Sequence, residues 1–197
     1  MLKVNQLFDL IKQSDFTLIG YNFKSERIKD EFISNFSYIE IDEIDSSFSF
    51  KKFARDLKIK SILDNKKNPE YILLDLNKIV FQHYKDLGNR QKFIRSLVYN
   101  LREDMYTSNP NYKIIITCPL YKSATSSYGS DVNNFIGGSG PIYTSDLALT
   151  IIDNKIKIIK NRFGNNGDEI LYNTKDLITF AEWRYQQIGK HTLNITC

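Results

Sequence analysis

Cysteine, histidine and tryptophan are nearly absent from this chain of 197 residues, at two, two and one copies. With only Cys118 in a predicted buried strand and Cys197 at the last position, a disulfide framework is excluded, and a reducing intracellular compartment is the expectation. His83 and His191 have no ligand partners at a metal-binding spacing, which removes a zinc-type centre. Neither a Ser-His-Asp nor a Cys-His arrangement for nucleophilic catalysis is evident. No apolar run approaches the ~20 residues of a membrane span. Asp9 also interrupts the only apolar stretch near the start, so a signal peptide is not expected and the expectation is a cytoplasmic protein with no membrane partner. Ala, Arg and Gly are sparse beside Lys, Asn, Ile and Phe, the bias of an AT-rich genome such as that of a phage or an AT-rich bacterium.

What is present suits a folded domain. Hydrophobic content of 42% and charged content of 25% are ordinary for a soluble globular chain, and 13% aromatics argue against disorder. The length predicts one domain, with a first helix to residue 15, a core over 16–173 and a tail over 174–197. A net charge of +4 is compatible with a polyanionic partner and equally with a lysine-rich solvated surface.

Val4, Leu7, Phe8 and Ile11 fall at helical spacing, and Phe16-Thr17-Leu18-Ile19-Gly20 reads as a short buried strand. Ile28, Phe32 and Phe36 predict a helix over 25–36, and Tyr38 to Asp42 alternates as a strand does. Phe50, Phe53, Ala54 and Leu57 predict another helix. Tyr71-Ile72-Leu73-Leu74-Asp75 and Lys113 to Cys118 are continuous apolar strands of the kind buried on both faces of a parallel sheet. Between them, Phe93, Ile94, Leu97, Val98, Leu101 and Met105 make one apolar helical stripe. Residues 121–141 lack any period and predict a long loop. Leu147–Ile152, Lys155–Arg162 and Glu169–Tyr172 then predict a meander, and Phe180, Trp183 and Ile188 a last short helix. The predicted class is therefore α/β, with a mostly parallel central sheet flanked by helices and an antiparallel C-terminal meander.

Several short stretches in this order carry chemistry. Gly137-Gly138 opens a glycine-rich segment ahead of the apolar strand Leu147–Ile152, and the next strand ends in Lys160-Asn161-Arg162-Phe163-Gly164. Asp75 closes a central strand, where a carboxylate faces the crevice at the strand ends; standing alone, it also serves as a cap for the next segment. Gly20-Tyr21-Asn22-Phe23-Lys24-Ser25 stands between a strand and a helix. Together these stretches resemble the RecA/DnaB family of motor ATPases over residues 16–173, with a RecA-like layered core.

The resemblance implies particular roles. Asp75 takes the position of the magnesium-supporting carboxylate, and Lys24 and Ser25 those of the phosphate-loop residues that hold ATP. A catalytic glutamate is implied near the end of the second strand, at Glu43, with Glu40 also available. Lys160 and Arg162 resemble the pair that reaches into a neighbouring subunit's ATP site, a task that suits a planar guanidinium. The segment from Tyr121 and Lys122 through Tyr128 to Gly137 and Gly138 resembles a loop that binds single-stranded DNA, with rings for stacking and glycines for close backbone approach. A basic hairpin tip and a flexible surface loop account for the same residues without any partner.

The chain also departs from the family. A phosphate loop needs Gly-x-x-x-x-Gly-Lys-Ser/Thr, but Leu18 and Phe23 stand at the two glycine positions. Pro119 stands where a γ-phosphate-sensing residue is implied. The expectation is a RecA-fold protein of DNA recombination or replication with weak or no ATPase of its own. Its expected partners are single-stranded DNA and, by self-association, a second copy or a related subunit. A pseudo-ATPase kept as a structural or interaction module is the alternative.

Overall fold

The structure, a computed structural model, describes residues 4–36, 38–41, 71–78, 87–108, 112–120, 135–136, 138–153, 155–164, 166–167 and 169–171. The first helix, α1, is Val4–Gln13, and the strand β1, Phe16–Tyr21, follows it directly. A single 3-10 turn over Phe23–Ser25 leads into α2, Glu26–Ile33. The remaining elements are β2 (Tyr38–Ile41), β3 (Tyr71–Asp75), α3 (Leu87–Ser108), β4 (Lys113–Pro119), α4 (Gly140–Thr144), β5 (Leu147–Ile152), β6 (Lys155–Asn161) and β7 (Glu169–Leu171). The helices expected over 50–57 and 180–188 lie outside the described residues.

The strands form one mixed sheet in the order β2-β3-β4-β1-β5-β6-β7. From β2 through β5 every pairing is parallel, while β5-β6 and β6-β7 are antiparallel. The expected meander is thus fused to the edge of a parallel sheet. Its two turns hold residues at positive φ, Asp153 at 53° and Gly167 at 87°, which a tight reversal needs and which Asp and Gly accept best.

Strand alternation sends side chains to two separate cores. Phe16, Leu18, Ile114, Ile116, Ile72 and Leu74 pack under the α3 stripe of Ile94, Leu97, Val98, Leu101 and Met105. On the other face Ile19, Tyr21, Leu73 and Ile115 meet Leu7, Phe8 and Ile11 of α1 and Phe32 and Ile33 of α2. The result is an α/β layering with the sheet in the middle. The second core is strongly aromatic. Phe8 stacks on Phe32 at 5.3 Å, and Phe36 meets Tyr71 edge-on at 5.1 Å, contacts worth about 0.5–1.5 kcal/mol each beyond the area they bury.

The loop expected over 121–141 ends in a short helix, which begins at Gly140. Pro141 occupies the first turn of α4, where its missing N–H costs nothing and its fixed φ suits the helix. Upstream, Leu120 and Phe135 form an antiparallel bridge, and the Ile136 N–H donates to the Pro119 carbonyl at 3.4 Å. Leu120 and Phe135, the described residues on either side of 121–134, therefore meet at the carboxyl end of β4.

Phe135 is fully buried there against Gly20. A Cβ added at Gly20 would lie 2.6 Å from Phe135 Cε1 and 2.8 Å from Leu120 Cδ2. Gly20 is thus set by close packing, not by an unusual backbone. Gly20→Ala is expected to cost about 1–3 kcal/mol through overpacking, and adding Phe135→Leu to recover part of it. Urea unfolding of the two variants checks this; equal midpoints for wild type and Gly20→Ala would refute it.

Candidate functional site

The parallel sheet has two ends, and each carries a charged cluster. At the carboxyl end, β1 delivers the turn to Lys24 and Ser25, and β3 delivers Asp75, with β4 as the single strand between them. The helix after β1 packs on one face and α3 on the other. In open α/β sheets ligands bind at this end of the strands, where the following helices take opposite faces.

The turn after β1 is short and internally satisfied. Asn22 alone separates β1 from the 3-10 turn, and its side chain accepts the Ser25 N–H at 2.9 Å. That is an ordinary N-cap bond, which uses a donor a phosphate-binding turn needs. Ser25 is buried and its hydroxyl donates to the Asp153 carbonyl at 3.4 Å, whereas Lys24 is exposed.

Asp75 is also engaged. The fully buried Lys29 ammonium of α2 donates to its Oδ2 at 3.0 Å, and Oδ1 accepts the Asn77 N–H at 3.0 Å. Both side chains of the ion pair are nearly inaccessible, 4% for Lys29 and 5% for Asp75. Lys29 also meets Asp30 at 3.0 Å and lies 4.6 Å from the centre of the Tyr21 ring, a cation–π contact. Burial alone would lower the Lys29 pKa, but Asp75 and Asp30 outweigh it and hold the ammonium above its ordinary 10.5. Thr117 pairs in register with Asp75. Its hydroxyl and that of Tyr21 are buried with no hydrogen-bond partner among the described residues.

On the opposite face of β4, Cys118 Sγ points to the Ile136 carbonyl at 3.3 Å. Burial pushes the thiol from 9.0 up to about 12, so it is not a ready nucleophile. Burial first, then Asp75, likewise drives the Tyr21 hydroxyl far above its ordinary 10.0. The unfolded chain loses these protons at a pH where the fold keeps them, so stability falls as pH rises through that window. Urea midpoints are expected to fall from about pH 9, the thiol contributing ~1.4 kcal/mol per pH unit. Cys118→Ala should delay the onset to about pH 10, where Tyr21 takes over. Parallel pH profiles for the two proteins between 9 and 10 would refute the assignment.

The second cluster lies at the amino end of the sheet, where β1 and β5 begin. Asp146, immediately before β5, is almost fully buried and accepts from two arginines. Arg102 of α3 donates bidentately, at 3.0 Å to Oδ2 and 2.7 Å to Oδ1, and Arg162 reaches Oδ1 at 2.8 Å. The Phe16 N–H completes the set at 3.1 Å. Lys160 donates to the carbonyls of Ile142, Tyr143 and Ser145 at 3.1, 2.7 and 2.6 Å, closing the carboxyl end of α4 as a cation should. Burial, then Arg162, lowers the Lys160 pKa.

The sequence-derived residues thus divide by place. Lys24, Ser25 and Asp75 share the carboxyl edge, while Lys160 and Arg162 stand together at the amino edge. Two such edges of a six-residue strand are on the order of 20 Å apart, so the two groups do not meet within one chain. Gly138 is at φ +68°, with the Arg95 guanidinium 3.0 Å from where its Cβ would be. Glu43, Tyr121, Lys122, Tyr128 and Gly137 lie outside the described residues, while Glu40 on β2 pairs with Lys78 at 2.5 Å. Among the described residues there is no cluster of His, Cys, Asp and Glu able to hold a metal, and no helix long and apolar enough to cross a membrane.

Comparison places the chain in no family. No protein-family model and no curated protein matches it.

Lys29 and Arg102 were missed from the sequence, although a signal existed. Lys29 falls in the buried stripe of Phe32, Ile33 and Phe36, and Arg102 in that of Val98, Leu101 and Met105. A cation on an apolar stripe calls for a buried counter-charge.

Proposed function

We propose that this chain is a RecA-fold protein of DNA recombination or replication that has little or no ATPase of its own. In this reading it contacts single-stranded DNA or completes a partner's ATP site. The observation that supports the family reading is the common carboxyl edge: Lys24-Ser25 opens the helix after β1, Asp75 ends β3, and one strand separates them. The Lys29–Asp75 pair supports the loss of ATPase. A magnesium ion at Asp75 would have to displace a buried ammonium, and a triphosphate would compete with Asn22 for the Ser25 N–H. The residues present do not fit ATP with Mg²⁺, and no catalytic step is derived through them.

Calorimetric titration with ATP and Mg²⁺ tests this reading. No saturable binding is expected, and no rise in thermal midpoint, since a ligand of the folded state alone must raise it. Tight binding with turnover, abolished by Lys24→Ala, would overturn it. One observation favours the alternative of a structural or interaction module: all three Lys160 donors already meet carbonyls of the same chain, and Arg162 is paired with Asp146, so both cations are engaged in holding this chain's own fold.

A further inference from the structure

At the amino edge three cations gather about one buried carboxylate. Arg102 and Arg162 pair with Asp146, and Lys160 meets the Ser145 carbonyl beside it. Arg162 gives Asp146 a nitrogen and still has a side chain 49% exposed. Around it stand three of the four exposed large hydrophobic side chains described: Tyr143 at 70%, Tyr99 at 59% and Phe163 at 47%.

Their neighbourhood follows from the contacts already given. Phe163 succeeds Arg162 in the chain. The Tyr143 carbonyl is bonded by Lys160. Tyr99 lies one turn from Arg102 on α3, and α3 packs along α4. Exposed rings that share one face mark an interaction surface. Rings interleaved with cations are the composition that stacks unpaired bases and neutralises the phosphates between them.

We propose that this face, formed by Tyr99, Tyr143, Phe163 and Arg162, binds single-stranded nucleic acid, with bases on the rings and a phosphate on the exposed side of the Arg162 guanidinium. The partner class rests on the proposed function, but the site is new: it is at the amino edge and does not involve the segment around residues 121–138.

The test is fluorescence-anisotropy titration of a labelled oligothymidylate, single-stranded and annealed to its complement, at two salt concentrations. Wild type is compared with Tyr143→Ala, Phe163→Ala and the double variant. These exposed rings are removable without unfolding, which circular dichroism checks. The single strand should bind and weaken with salt, by roughly 0.7 in the log–log slope for each phosphate neutralised. Each ring lost should weaken it about tenfold or more. If wild type binds and the ring variants bind equally well, the face is wrong while DNA contact elsewhere in the chain stands. If wild type does not bind at low salt, both the face and the DNA part of the proposed function fall, and completion of a partner's ATP site survives. Equal binding of the duplex, equally sensitive to the rings, would overturn stacking on unpaired bases. A change of oligomeric state with the oligonucleotide affinity untouched would assign the face to a second copy of the chain and overturn the proposal.

Discussion

Lys29→Met is expected to lower the stability of the fold by about 3–5 kcal/mol, the usual cost of leaving one member of a buried ion pair alone. For a chain of this size that is a fall in thermal midpoint of roughly 6–20 °C. The methionine fills the volume of the lysine stem, so packing under Tyr21 is kept and the loss reports on charge. What remains is Asp75, 3% exposed, with the Asn77 N–H as its one remaining partner among the described residues. Adding Asp75→Asn removes that uncompensated charge, and the double variant should recover most of the loss. A double variant no more stable than Lys29→Met would show that the pair is not the source of the effect. The same double variant separates stability from function: if Lys29 keeps ATP and Mg²⁺ away from the carboxyl edge, removing it together with Asp75 cannot restore binding.

Asp146→Asn should be of similar size, again about 3–5 kcal/mol, for a more demanding reason. The carboxylate accepts four bonds, two from Arg102 and one each from Arg162 and the Phe16 N–H. An amide offers one acceptor oxygen and turns an N–H₂ toward guanidinium donors. Arg102, whose side chain is only 10% exposed, then loses the carboxylate to which it donates twice. Arg162→Ala provides the contrast. Its side chain is half exposed, so that variant should cost no more than about 1 kcal/mol. Thermal denaturation of the two variants checks the ranking, and comparable losses would contradict it.

The sheet was legible because its signals were local and strong. Tyr71 to Asp75 and Lys113 to Cys118 have no polar position to spare, and both are central, parallel strands as that pattern requires. Asp153 and Gly167 fall in the gaps between the three strands expected of the meander, and both are residue types that accept the positive φ of its turns. The site was legible only in part. Lys24, Ser25 and Asp75 reach one edge because strand ends are set by the chain order. That Asp75 pairs with Lys29 depends on α2 lying across the sheet, a tertiary fact with no trace in the spacing of either residue. Lys160 and Arg162 read correctly as neighbours at a strand end. Asp146, the partner of Arg162, comes from a strand start, where a lone aspartate looks like any turn residue.

The bridge between Leu120 and Phe135 has an engineering consequence. Because the two chain ends there are already held together by Phe135 seated on Gly20, the closure entropy of the intervening segment grows only with the logarithm of its length, about 0.6 kcal/mol per doubling. A peptide tag or a small fluorescent reporter placed within residues 121–134 should thus be carried at little cost to the sheet. The same insertion between β5 and β6 would fall in a turn held by the positive φ of Asp153 and break the meander.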